Sequence, residues 1–387
     1  MTEKPKLRIE EAATVIDTQP PPRPRQKSAS GEIVTASQRP PVDVGEPATR
    51  DGLPAIDVPP HAARVLEARP PVVNQIAKEE TAPRIGEYAL IARFPSSVTA
   101  DVYLGYKVTN FGFIRRAVVK WADARRPDHA AARQTILDEA RAISFVDHPN
   151  IVTILDLADD SRGTYLAVEY VAGTDLRRVL GELGRRNERF PIAHACYVVT
   201  ELLRALAHVH QAHGPDGKSL RIVHRDVNPS NVLVSEDGHV KLTDFGTVLM
   251  DGRLQTNTAP GMVKGKVRYL APEYISDHIC TFRVDLYSVG VMLFEMLTGR
   301  PCFQSSNSTA TMLKIVREGL PFQELSAMAV PERLIEVIQK ATARDPELRY
   351  ASADAMCHEL EDWLEVAGTF ASPSRFSTYL HQHGLFI

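Results

Sequence analysis

One short segment constrains this chain more than any other. Within residues 222–246, His224-Arg225-Asp226 is followed five residues after the aspartate by Asn231, and Asp244-Phe245-Gly246 begins thirteen residues beyond that asparagine. Two carboxylates and a carboxamide held on neighbouring loops suit one task. Asp226 can accept a hydroxyl proton, while Asn231 and Asp244 supply oxygen ligands to Mg²⁺. Each tripeptide alone carries little information; the ordered set at this spacing carries a great deal. The fold must bring both loops to one place.

The surroundings fit that demand. Three strand-like runs rich in Val, Ile and Tyr occupy residues 88–94, 101–108 and 114–122. A helical stretch follows at about 130–145, then strand-like runs at 151–157 and 164–171. Helical periodicity dominates afterwards, at 192–210, 282–297, 309–318, 331–343 and 351–364, with short strands expected around 222–223, 232–234 and 240–242. A strand-rich first part and a helix-rich second part predict an α+β architecture of two lobes.

Residues 1–83 differ. They hold 14 of the 27 prolines, and the first aromatic residue of the chain is Tyr88. Proline runs remove backbone donors, and with so little to bury the segment cannot offset its ordering entropy. It reads as a disordered arm, in the first instance a linker, whose prolines would also suit a partner with an SH3-like groove. A net charge of −3 gives no electrostatic basis for binding nucleic acid. The four cysteines, Cys196, Cys280, Cys302 and Cys357, are far apart and form no CxxC pair, so a reducing cytoplasmic setting is expected. Uncharged stretches stop short of a membrane span.

HRDVNPSNV followed by DFG resembles the eukaryotic-like (Hanks-type) Ser/Thr protein kinases, in a bacterial style. The resemblance implies a bilobal kinase domain over about 86–365, with a small lobe over about 86–171 and a large lobe over about 172–365, and a short helical extension over 366–387. It implies ATP and Mg²⁺ as cofactors and a protein hydroxyl as acceptor. Lys120 in AVVK would hold the ATP phosphates and Glu139 would pin that lysine. Asp226 would be the catalytic base, and Asn231 and Asp244 the metal ligands. Val168 would guard the back of the adenine pocket, Glu169–Val171 would form the linker that pairs with adenine, and Val102 and Leu233 would sandwich the ring. Glu273 of APE, Asp285 and Arg349 match internal anchors. Antibiotic and sugar kinases generally lack that anchored segment, which favours a protein acceptor. The histidines at 208, 210 and 213 have no accompanying ligands at metal spacing and read as structural.

The sequence also departs from the family. Counting back from Val102, the three positions of the phosphate-binding glycines are Pro95, Ser97 and Ala100, and Val118 narrows the adenine pocket. The family's lysine two residues after the catalytic aspartate is Asn228, and the threonine of its GT-x-x-Y segment is Lys266. Lys266 is therefore expected to supply the positive charge that Asn228 lacks. Arg225 is the type of residue that binds a phosphate on the activation segment, with Thr256 or Thr258 as its acceptor. The alternative reading of these departures is a pseudokinase, a nucleotide-sensing scaffold with weak or no phosphotransfer.

Overall fold

The computed structural model of the protein describes residues 82–94, 100–246, 266–303, 305 and 307–386. The proline-rich arm, Pro95 and Ser97 of the loop before Val102, and Thr256 and Thr258 lie outside these residues.

The small lobe is one antiparallel sheet. Its strands are β1 (Arg84–Ile85), β2 (Tyr88–Arg93), β3 (Asp101–Val108), β4 (Ile114–Asp123), β5 (Ile154–Asp160) and β6 (Gly163–Glu169), in spatial order β1-β2-β3-β4-β6-β5. The two-residue period of β4 divides its side chains between two jobs. Ala117, Val119 and Trp121 join Ile85, Tyr88, Tyr103 and Tyr165 in an apolar cluster on one face. Val118 and Ala122 point the other way and pack with Val168 and helix α1 (His129–Ile143). Lys120, between them in sequence, shares that second face. On α1, Ile136 and Ala140 are buried against the sheet, and the helical period brings Glu139 to the same side.

The large lobe is built around α3 (Ile192–His210) and α5 (Arg283–Thr298), packed with α8 (Glu332–Ala341) and α9 (Ala353–Val366). Shorter helices surround them: α2 (Leu176–Arg185), α4 (Pro272–Ser276), α6 (Ser308–Arg317) and α7 (Gln323–Ala327). Helix α3 is long and apolar enough to cross a membrane, but 67% of its most apolar window is buried inside the protein, as a core helix requires. A second antiparallel sheet of β7 (Gly173–Asp175), β8 (Val232–Ser235) and β9 (Val240–Leu242) lies where the lobes meet.

A short strap joins the lobes. Leu242 N donates to Asn150 O at 2.8 Å and Val152 N to Leu242 O at 3.1 Å. The Asn150 side chain donates to Val240 O and to Glu201 Oε2, both at 2.8 Å. This explains a difference from the sequence reading: Ile151 and Val152 do not extend the small-lobe sheet, because Ile151 bridges Leu242 and the backbone of its two neighbours bonds to β9, whereas Thr153 O already accepts from Glu169 N of β6 at 2.9 Å. Around residues 222–223, Val223 makes an isolated β-bridge rather than a full strand. Helix α2 was not expected, since Gly181 and Gly184 weaken its helical signal.

Beyond α9, helix α10 (Pro373–Gln382) returns to the large lobe. Phe376, Leu380 and Leu385 are fully buried, and the Phe376 ring lies 6.0 Å from Phe190 and 5.6 Å from Tyr197. The segment also presses on the β8–β9 turn. Gly238 has φ +82°, and a Cβ there would sit 2.0 Å from Pro373 O, so only glycine fits.

Candidate active site

The loop carrying Asp226 is held from below by one carboxylate. Asp285, in the first turn of α5, is fully buried. Its Oδ2 accepts from His224 N at 2.9 Å and its Oδ1 from Arg225 N at 2.9 Å. His210 Nε2 lies 2.8 Å from the same carboxylate. These bonds hold Arg225 at φ +66°, a conformation that costs a non-glycine residue free energy. The neighbouring His208 ring packs on His148, 5.3 Å away. Among the described residues no group of three or more metal-binding side chains forms.

Above that support, donors converge on Asp226. Asn228 Nδ2 lies 2.8 Å from Oδ1, Asn231 Nδ2 lies 2.9 Å from Oδ2, and Lys266 Nζ lies 2.6 Å from Oδ2. Asn228 and Asn231 each donate to the Asp226 carbonyl as well, at 2.8 Å. The amide nitrogen of Asn231 is thus committed to Asp226, which leaves its Oδ1 as the atom suited to a cation. Sequence reasoning treated Asn228 only as a lost charge. It is buried, and it holds the aspartate from the second side while its Oδ1 accepts from Ser230 N at 3.0 Å. A carboxamide two residues after the aspartate was the signal available in the sequence.

The second centre joins the lobes. Lys120 Nζ sits 2.5 Å from Glu139 Oε1 and 3.3 Å from Asp244 Oδ1. Burial alone would depress the Lys120 ammonium, but the carboxylates of Asp244 and Glu139 outweigh it and hold the group above its ordinary value. Asp244 is held down chiefly by Lys120, and so stays ionised. Asp244 also takes a left-handed backbone, φ +69°. The fully buried His224 links the two loops: Asp226 N donates to its Nδ1 at 3.3 Å, and its Nε2 faces Thr243 O at 3.2 Å. Its ring meets the edge of Phe245.

Of the residues expected around adenine, Val102 pairs with Lys120 across β3–β4, and Val118 pairs with Val168 across β4–β6. Leu233 and Val171 are half-buried, and Ala100 is buried. The Glu169 side chain is engaged away from the linker backbone, accepting from Lys241 Nζ at 2.6 Å and Thr153 N at 3.0 Å. Glu273 and Arg349 form a two-point pair, with both N–O distances 2.7 Å.

Three histidines give the fold a pH dependence. Burial is the leading cause that pushes His224, His148 and His194 below the ordinary value of 6.5. Well above pH 6.5 neither folded nor unfolded chain binds these protons. As pH falls below it, the unfolded chain protonates first, so stability is lost. Denaturant midpoints are expected to fall from pH 7 to pH 5.5, with proton uptake on unfolding at pH 6. A midpoint independent of pH over this range would contradict the assignment.

Residues 100–360 match the protein kinase domain family. Over 291 residues the chain is 33% identical to the tyrosine-protein kinase MasK of Myxococcus xanthus, covering 74% of this chain and 45% of that protein. It is 36% identical over 220 residues to the serine/threonine-protein kinase PrkC of Bacillus subtilis, covering 56% and 32% of the two chains. It is 33% identical over 274 residues to the serine/threonine-protein kinase PknL of Mycobacterium tuberculosis, covering 71% and 65%. The match thus spans only about a third to two thirds of these relatives. A small β-sheet lobe pinned by Lys120–Glu139, a helical lobe presenting Asp226 and Asn231, and a family match over two thirds of the sequence converge: the chain belongs to the protein kinase family.

Proposed function

We propose that the protein transfers the γ-phosphate of ATP, with Mg²⁺, to Ser or Thr hydroxyls of a protein. The observation that carries this reading is the position of Lys120 between Glu139 and Asp244, with Asp226 and Asn231 meeting on the adjacent loop. None of these five polar residues is needed to fill a core. Their joint retention, with relatives named as kinases, favours catalysis over a scaffold.

Lys120, fixed by Glu139, would hold the α- and β-phosphates. Asn231 Oδ1 and the Asp244 carboxylate would hold Mg²⁺, which supplies charge neutralisation on the phosphates. Glu169 and Val171 would offer backbone groups to adenine, and Val102, Val118, Val168 and Leu233 its apolar walls. Asp226 would orient the acceptor hydroxyl and take its proton. The two carboxamides on either side of Asp226 fix its rotamer, so orientation is set before the acceptor arrives. Lys266 would bring positive charge to the transferring phosphoryl from the activation segment. A Lys266→Met protein is expected to lose about 10²-fold in kcat, the scale of removing one preorganised electrostatic group. Unchanged phosphotransfer in that variant, with loss in Lys120→Met, would end the idea.

Intact-mass spectrometry of purified protein incubated with Mg-ATP tests the reading. Added phosphates are expected, with peptide mapping placing them on Ser or Thr, including Thr256 or Thr258, whose phosphate Arg225 would bind. Phosphate on tyrosine alone would move the acceptor class toward that of the MasK relative. No added mass, and no shift in melting temperature with Mg-ATP, would favour the pseudokinase.

A further inference from the structure

A cavity of about 340 Å³ opens beside Asp226 on the large lobe, between α2, the catalytic loop and the segment that begins at Lys266. Arg177, Leu180, Asn228, Lys266, Arg268 and Glu295 contribute to its wall. Two of these residues also touch the catalytic aspartate: Lys266 and Asn228 bond to its two carboxylate oxygens. Whatever enters the cavity is therefore within a few side-chain lengths of the acceptor hydroxyl. A neighbouring residue of the same acceptor protein meets that requirement.

The charges that remain available are positive. Lys266 is paired with Asp226. Glu295 is the one acidic group in the wall, and it is engaged, with the Tyr269 hydroxyl donating to its carboxylate. Burial raises the Glu295 carboxyl, opposed by the Tyr269 bond and by the field of Arg268. Arg268 and Arg177 make no hydrogen bond or ion pair among the described residues, and Arg177 lies exposed on the first turn of α2. Two guanidinium groups in the wall of one cavity, neither hydrogen-bonded among the described residues, suit a carboxylate or phosphate.

We propose that this cavity selects acceptors carrying an anionic side chain next to the phosphorylated hydroxyl, with Arg177 and Arg268 as the residues that read it. The inference rests on the phosphotransfer reading for its biological meaning but not for its test. A series of fluorescent acceptor peptides is made with Asp, phosphoserine, Ala or Lys at each position within three residues of a central serine. Binding is read by anisotropy without turnover, and phosphorylation separately as kcat and KM. Asp and phosphoserine peptides are expected to bind roughly tenfold more tightly than the Lys peptide, the preference appearing in KM and weakening with salt. Comparison of the Asp and phosphoserine arms tells which anion the two arginines prefer. Arg177→Glu, on an exposed helix surface, is expected to erode that ratio, and Arg177→Glu with Arg268→Glu to invert it. Equal or tighter binding of the Lys peptide to the wild type, or an unchanged ratio in the double variant, would overturn the proposal. Preferential binding without phosphorylation of any peptide would retain it and overturn the phosphotransfer reading instead.

Discussion

Asp226→Asn is expected to lower phosphotransfer by about 10²–10⁴-fold, the range associated with loss of a positioned general base. The substitution preserves shape and removes charge. Its effect on the fold is expected to be small but not zero, because three donors now point at Asp226: Asn228 Nδ2, Asn231 Nδ2 and Lys266 Nζ. A carboxamide offers one acceptor oxygen where the carboxylate offered two, so at least one donor meets an N–H. A loss of about 1–2 kcal/mol is anticipated, comparable with one unsatisfied polar group. Side-by-side intact mass and chemical denaturation separate the two effects. A variant as active as the wild type would remove Asp226 from the mechanism. A variant that fails to fold would be replaced by Asp226→Glu, which keeps the charge and displaces it by one methylene; it too is expected to be slow.

The largest effect on stability is expected at Arg349. Its side chain is fully buried. It bonds both oxygens of Glu273 at 2.7 Å, Ala343 O at 2.9 Å and Arg283 O at 3.0 Å, and its guanidinium sits 4.9 Å from the Tyr287 ring centroid. Arg349→Met leaves the Glu273 carboxylate buried without its partner and two carbonyls without a donor. A loss of about 3–5 kcal/mol follows, lowering the melting temperature by roughly 6–20 °C for a domain of this size. Replacing both residues, as Arg349→Met with Glu273→Leu, is expected to recover part of that loss, since no uncompensated charge is then buried. If the single variant unfolded at the wild-type denaturant concentration, the pair would be no anchor.

What could be read from the sequence was whatever rests on local period or fixed spacing. Helix α3 and strand β3 occupy the residues their patterns indicate, and Lys120 faces α1 because β4 alternates. The relation of Lys266 to Asp226 was readable only through the resemblance, since 40 residues separate them. Features that depend on distant partners stayed hidden. Residues 151 and 152 look like strand residues, yet Ile151 bridges Leu242 and Val152 N donates to Leu242 O of β9 rather than to the neighbouring strand. Asn228 looked like an absence and is a buried donor. The contact between Gly238 and Pro373 joins segments more than a hundred residues apart, and no local pattern announces it.

The strap through Asn150–Val152 has a mechanical consequence. It stitches the chain just after α1 to β9, within a few residues of Asp244, whereas among the described residues no backbone hydrogen bond ties β2 or β3 to β9. The strap therefore acts as a fulcrum. A small rotation about it would move the far edge of the sheet through a longer arc than the strands nearest the tie. On the phosphotransfer reading, the cleft would gape to exchange nucleotide about this tie, so that opening and resetting the machine need not be the same motion.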